Sequence, residues 1–466
     1  MSNANDSDSW FSIIRDSLTG KQRDYTLGSV LKAVIVLAIP MMLEMAMESL
    51  FAITDIYWIS TLGKEATAAV GLTESVSTLI YAVAIGLSMA LTATVARRIG
   101  EKNARGASVA AAQGLYIGAA VAVVTGLPAF VYGREILQLM GAEAAVVEVG
   151  ADYTAILLGT NIVIIYLFLN NAIFRGAGDA ALAMRALWLG NGINIALDPC
   201  LIYGWGSFPE MGLAGAAMAT VIGRGSAVFY QFWAFYRHKS LIQLNRSSWS
   251  IDTRVIVRMV RISLGGILQM LIATTSWIAL MRILAPFGSA ALAGYTIALR
   301  VILFTILPSW GLSNAVATLV GQNLGAGSSD RAVASVKEAG VFNMVFLTLV
   351  MVAFLAFAQP IVEIFIDDPE VVEMGVITLR FISLAYPFYA WGMILVQAFN
   401  GAGDTMTPTW INVFCFWMFQ IPLAWMLSRC LMSPTGVVWA ILASDIAMAI
   451  VGGILFARGM WKEKEV

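Results

Sequence analysis

The chain has almost no histidine: His238, in a polar loop, is the only one in 466 residues. A histidine-ligated metal centre and a Ser-His-Asp triad are thereby excluded. Cysteine is scarce as well. Cys200, Cys415 and Cys430 stand at unrelated spacings, which fits neither a disulfide framework nor a thiolate metal site. Charged residues make up only 12% of the chain, where a soluble protein carries roughly twice that share. A net charge of −1 offers nothing to a nucleic-acid backbone. The glycine-rich stretch 321–327 follows no strand and lacks a Gly-Lys-Ser/Thr, so neither nucleotide binding nor ATP-driven transport has support. No apolar run opens the chain as a signal peptide. Segment 9–18 reads either as a cytoplasmic tail or as an interfacial helix with Trp10, Phe11, Ile14 and Leu18 on one side.

What the chain has is apolar length. Hydrophobic residues are 59% of it, and the mean hydropathy is +0.80. A bilayer crossing needs about 20 apolar residues. Twelve stretches qualify: 33–59, 67–95, 108–131, 149–173, 181–203, 212–236, 260–284, 290–317, 338–358, 373–398, 407–429 and 435–457.

The chain also repeats itself. Phe174-Arg175-Gly176-Ala177-Gly178-Asp179 returns 225 residues later as Phe399-Asn400-Gly401-Ala402-Gly403-Asp404. The same offset pairs Gly63 with Gly288, Ala68 with Ala293, Gly100 with Gly325, Ala107 with Ala332, and Val146-Val147-Glu148 with Val371-Val372-Glu373. Two homologous six-span halves around a central site are the architecture of secondary transporters. The fold expected is an all-α polytopic membrane protein with twelve transmembrane helices in two pseudo-symmetric lobes. Its parts are a tail 1–32, an N-lobe 33–236, a linker 237–259, a C-lobe 260–458 and a tail 459–466.

Lys and Arg set the orientation. One set of loops carries Arg97, Arg98, Lys102 and Arg105, then Arg237, Lys239, Arg246, Arg254 and Arg258, then Arg331 and Lys337. The tails add Lys21, Arg23, Lys32, Arg458, Lys462 and Lys464. The opposite loops hold only Lys64, Arg134 and Arg429, with the acidic group Asp367, Asp368 and Glu370. Both termini are therefore expected in the cytoplasm of a multi-pass cell-membrane protein. Even span numbers per half put the pseudo-twofold axis along the membrane normal.

A charge at the bilayer centre costs about 2.5–3.5 kcal/mol even on a lenient scale. Glu44, Glu48 and Asp55 of span 1 fall within about 40° of one another at 100° per residue. Such a stripe faces either a packed polar interior or a water-filled pathway for a cation or proton. Asn194 and Asp198 share a face of span 5. Asp55, Asp198, Thr220 and Glu74 lie at similar depth, so the first half concentrates oxygens near one membrane face. Two neighbouring carboxylates there can take up a proton or an oxygen-seeking cation such as Na⁺. The second half carries mainly Arg282, Arg300 and Arg380, with Asp445 as its one clear acid. The offset sets Asp445 opposite Thr220 and Leu280 opposite Asp55. Glu74 is expected to pair with Arg282 or Arg300 across the lobes. Pro40 is either an ordinary membrane-helix kink or a hinge for alternating access; Pro308, Pro387 and Pro422 interrupt later spans.

The duplicated Gly-Ala-Gly-Asp segments suggest an intramembrane aspartyl protease at first sight. Their place in loops at a helix boundary, and the absence of a Pro-Ala-Leu motif, favour tight turns in which Asp caps the next helix.

At these residues the chain resembles the multidrug and toxic compound extrusion (MATE) family, in its archaeal and DinF-type branch. The resemblance covers roughly 30–458. It rests on Pro40 with Asp55 in Asp-x-x-Trp-Ile-Ser-x-Leu-Gly, on Asn194-x-x-x-Asp198-Pro199, on Gly-Leu-Ala-Gly-Ala-Ala-x-Ala-Thr220, and on the paired Gly-Ala-Gly-Asp turns. It implies two lobes in a V, and a cation or proton site, with Na⁺ as the candidate metal ion, at Asp55, Asn194, Asp198 and Thr220. The roles of Glu44, Glu48 and Glu74 rest on position alone. In the NorM-type branch spans 7 and 10 carry carboxylates; here Gln269, Ala273 and Tyr389 stand instead. The resemblance further implies a monomeric, cofactor-free, non-enzymatic antiporter. It would export organic, often cationic or aromatic, compounds in exchange for H⁺ or Na⁺. Tyr57, Phe168, Met270, Trp277 and Trp391 are the candidates for an aromatic cavity wall. A lipid-linked oligosaccharide flippase of the same superfamily is the alternative, with Arg282, Arg300 and Arg380 as its pyrophosphate ligands.

Overall fold

The structure is a computed structural model that describes residues 10–20, 24–237 and 240–464. His238, Lys239, Lys21, Arg23 and the side chains of Trp10 and Phe11 lie outside the described residues. Among the described residues eleven helices are long and apolar enough to cross a membrane, and one bent pair makes a twelfth span. Spans 1 to 6 are Val30–Ser60, Lys64–Gly100, Ala104–Val131, Ala144–Gly176, Ala180–Tyr203 and Leu213–Tyr236. Spans 7 to 9 are Thr253–Phe287, Ser289–Gly325 and Ser329–Glu363. Span 10 is Pro369–Leu384 with Tyr386–Gly401, bent by 54° just before Pro387. Spans 11 and 12 are Met406–Cys430 and Thr435–Ala457. Spans 2 and 8 are each 37 residues long, well beyond the stretches expected from hydropathy. Their extra turns run past the apolar run at the end of the bundle that carries both termini.

The two halves share backbone detail as well as sequence. Gly63 and Gly288 open spans 2 and 8 with φ of 103° and 101°. Gly178 and Gly403 turn the duplicated motif with φ of 86° and 84°. Side-chain-bearing residues rarely adopt such angles. Asp404 then caps span 11, accepting from the Thr407 hydroxyl at 2.7 Å and its N–H at 3.4 Å. Asp179 departs from this expectation: its carboxyl feels the Leu182 backbone in the first turn of span 5 but makes no well-formed capping bond there. Burial pushes its carboxyl up to about 7, against the pull of the Leu182 backbone and Arg185.

Span 1 packs on span 8, and span 7 on span 2. These interfaces hold the two halves together through repeat-related glycines. A Cβ on Gly86 would fall 2.7 Å from the Ile267 nitrogen, and one on Gly311 2.3 Å from the Met41 oxygen. Closer to the termini, a Cβ on Gly100 would meet the Gln322 carbonyl at 2.0 Å, and one on Gly325 the Arg97 carbonyl at 2.2 Å. Each contact is the 225-residue image of its partner.

Both tails tie down this closed end. Tyr25 donates to the Gly178 carbonyl at 3.1 Å, and Lys102 pairs with Asp24. Arg331 donates to the carbonyls of Tyr25, Leu27 and Gly28. At the other end of the chain, Arg97 donates to the Lys464 carbonyl and Lys464 pairs with Asp404 at 3.5 Å. The N-terminal helix, Trp10–Thr19, forms and packs on span 1. Its inward face is Ile13 and Ser17, each 2% exposed, while Ile14 faces out.

Candidate cation pocket and central cavity

Span 1 sends its acidic stripe into the packed interior of the first lobe. Glu44 is 1% exposed and accepts from Arg175 at 3.2 Å and Asn171 at 3.0 Å. Glu48 accepts from Arg224 at 2.9 Å and Asn191 at 3.0 Å. Arg224 also donates to Tyr81 at 3.1 Å and lies 5.0 Å from the Phe51 ring centroid. A buried ion is tolerated only when paired and hydrogen-bonded: each glutamate has an arginine and an asparagine on it, although Glu44 Oε2 is left buried without a partner. The stripe is thus largely an interhelical network, one of the two readings its spacing allowed. Arg175, which the sequence placed beside a loop turn, instead closes this network from the last turn of span 4.

One turn of span 5 further on, the chemistry changes. Asn194 donates to Asp198 at 3.4 Å and to the Thr220 hydroxyl at 3.2 Å. Asn194 and Asp198 are fully buried and Thr220 is 9% exposed. No cation contacts Asp198 among the described residues. Asn194 Oδ1 and Asp198 Oδ2 are buried acceptors without partners. Leaving such groups empty is costly, and a carboxylate, an amide oxygen and a hydroxyl are the donor types that can hold a proton or small cation. Its oxygen-only donor set suits Na⁺ as well as H⁺. Asp55 is half-buried, forms no direct bond to these three, and lies within electrostatic range of Asp198, Glu74 and Arg224.

Glu74 is exposed and interacts electrostatically with Arg300, although the two form no ion pair. Arg282, Arg300 and Arg380 are all exposed. Pro40 sits inside the unbroken helix of span 1.

Between the lobes lies a cavity of about 100 Å³. The first lobe lines it with Met45, Met89, Phe168 and Arg175, the second with Trp310 and Asn314. Of the expected wall residues, Phe168 is there, its ring 5.7 Å from that of Tyr81. Tyr57 and Trp277 are exposed, Met270 is half-buried, and none of them touches this cavity. Trp391 is packed under Gly340 of span 9. Sequence reasoning missed Arg224, although an arginine in the middle of an apolar span is as strong a signal as the three acids. It also missed Trp310 and Asn314, whose positions carry no such signal.

A duplicated bundle of twelve spans, with a polar pocket in one half and a cavity between the halves, is a membrane transporter architecture. The MatE family profile matches 40–200 and 266–426, once in each half. The chain belongs to the MatE family. The probable multidrug resistance protein NorM of Thermotoga maritima is 26% identical over 442 residues, 93% of this chain and 94% of that protein. An FAD transporter of Shewanella oneidensis is 27% identical over 381 residues, 80% of this chain and 83% of that protein. A solved structure described as the outward-facing conformation of a multidrug resistance MATE family transporter matches with a TM-score of 0.87 and 26% identity, covering 94% of this chain and 97% of that one.

Proposed function

We propose that the protein is a secondary antiporter that exports organic, often cationic or aromatic, compounds in exchange for H⁺ or Na⁺. The observation that carries this reading is the buried Asn194–Asp198–Thr220 pocket with its two unpartnered oxygens. Its cargo is the coupling ion, and Asp55 is the second carboxylate that senses it. Glu44 and Glu48, already neutralised by Arg175 and Arg224, hold the helices around the pocket in register. The substrate enters between the lobes, against Phe168 and Trp310 and beside Asn314.

The close glycine contacts lie in the half of the bundle nearer the termini. With both termini in the cytoplasm, that arrangement is the state open to the outside. Alternating access then requires the Gly100 and Gly325 contacts to part while the opposite ends of the lobes approach. Names of relatives support drug-like cargo, and the FAD transporter adds flavins as a second flat aromatic class to test.

The test is flux in proteoliposomes with H⁺ and Na⁺ gradients imposed separately, using a fluorescent cationic dye and FAD. Uphill export driven by one of the two gradients supports the proposal. Movement of either compound that ignores both gradients overturns it.

A further inference from the structure

The second lobe also holds a buried acid for which the antiport reading has no use. Asp445 lies near the middle of span 12 and is 6% exposed. Among the described residues it makes neither a hydrogen bond nor an ion pair. Tyr386 and Tyr389 of span 10 and Cys415 of span 11 lie within its electrostatic range. The Tyr386 hydroxyl is engaged with Thr305 at 2.9 Å. The Tyr389 hydroxyl has no bond among the described residues.

The charged groups on neighbouring helices point elsewhere. Glu373 and Arg380 of span 10, Arg429 of span 11, and Arg254, Arg258, Arg261 and Arg282 of span 7 are exposed. Arg429 lies over the Trp425 ring at 4.2 Å. Arg458, just past the end of span 12, is exposed as well. Among the described residues no cation forms an ion pair with Asp445.

The backbone beside Asp445 is irregular. Span 11 runs as a π-helix over Val413–Gln420. Such stretches loosen the helical hydrogen-bond ladder and recur at functional sites. The Cys415 carbonyl in it accepts from Ser444 of span 12 at 3.0 Å. That bond fixes the helix turn that presents Asp445. On the other side, both tyrosines belong to Tyr386–Gly401, the piece of span 10 beyond the 54° bend.

Asp445 is the repeat image of Thr220, yet the site is no copy of the first-lobe pocket. The images of Asn194, Asp198 and Asp55 are Phe419, Leu423 and Leu280. One carboxylate with phenols and a thiol supplies too few oxygens to cage Na⁺. We propose that Asp445, with Tyr389 beside it, is a second proton-binding site, in the C-lobe and independent of the Asp198 pocket. A bare carboxylate at this depth is expensive, and a proton removes its charge. The protonated acid gains an O–H that can donate to the Tyr389 oxygen. The ionised form instead accepts from that phenol and draws in water. The two forms therefore favour different settings of the span 10 bend.

The experiment needs neither substrate nor transport, so it stands or falls separately from the antiport reading. Infrared difference spectra between acid and alkaline pH are recorded on the intact protein in lipid vesicles. Wild type, Asp445→Asn, Asp198→Asn and Tyr389→Phe are compared. The proposal expects a protonated-carboxyl band that is lost in Asp445→Asn, persists in Asp198→Asn, and shifts its midpoint in Tyr389→Phe. Identical difference spectra for wild type and Asp445→Asn overturn it. So does an Asp445 band that vanishes together with Asp198.

Discussion

Ser17 of the N-terminal helix donates a 2.9 Å hydrogen bond to the carbonyl of Val36 in span 1. Val36 is the residue four before Pro40, so its carbonyl is the acceptor that the proline, having no N–H, leaves empty. The amphipathic helix therefore occupies the gap that would otherwise let span 1 bend. Whether Pro40 acts as a hinge thus depends on a residue outside the membrane span.

Ser17→Ala orphans that carbonyl and should cost about 1 kcal/mol of local stability. Hydrogen exchange in the first turns of span 1 should rise. Pro40→Ala restores the missing donor, so Ser17→Ala should have little effect in that background. Equal effects of Ser17→Ala with and without the proline would break the link.

Glu48 and Arg224 form a 2.9 Å ion pair in the first lobe, in which the arginine is buried and the carboxylate half-buried. Removing one partner strands a charge, and such changes cost about 3–5 kcal/mol. Arg224→Met should lower thermal stability steeply. Adding Glu48→Met should recover most of the loss, because two apolar side chains replace a compensated pair. A double variant no more stable than Arg224→Met would contradict the pairing.

Asp179 gives a pH dependence of known sign. Its carboxyl titrates at about 7 in the folded protein against 3.8 for an ordinary aspartate. The native state holds the proton more tightly than the unfolded one. The stabilisation is therefore full below pH 3.8 and is lost as pH rises towards 7. Asp179→Asn should flatten the stability curve across that window and be the more stable form at pH 8, by an amount on the order of a few kcal/mol at most. Parallel curves for the two proteins would show that Asp179 does not titrate there.

Glu74 and Arg300 interact without touching in this conformation. If the lobes close at that end, the two should pair. Glu74→Arg and Arg300→Glu should each slow turnover, and the double swap should restore it. A double swap as slow as either single reversal would exclude the contact.

The duplicated twelve-span fold was legible because the 225-residue offset recurs at turn glycines, whose backbone angles the structure repeats. The acidic stripe was legible because helical period alone puts Glu44, Glu48 and Asp55 on one side. Its partners were harder to read. Arg224 was visible as an intramembrane charge, but which acid it pairs with depends on how spans 1 and 6 pack. Asp55 shares the stripe yet stands apart from Asn194, Asp198 and Thr220, a separation that periodicity does not encode. The bend in span 10 and the π-helix in span 11 had only Pro387 and Pro422 as markers. Apolar composition is the same whether or not the hydrogen-bond ladder is regular. Ser17 and Val36 meet through tertiary packing alone.

The central claim is that ion occupancy of the Asn194–Asp198–Thr220 pocket and substrate binding between the lobes oppose each other. It is tested most directly by substrate affinity measured across pH and Na⁺ concentration, in wild type and in Asp198→Asn. A tenfold weakening corresponds to about 1.4 kcal/mol, within the usual 1–3 kcal/mol range for linked sites. Affinity in wild type should fall by roughly that factor as the coupling ion saturates, and Asp198→Asn should bind with an affinity nearly independent of it. Wild-type isotherms that do not move with either ion would contradict the coupling.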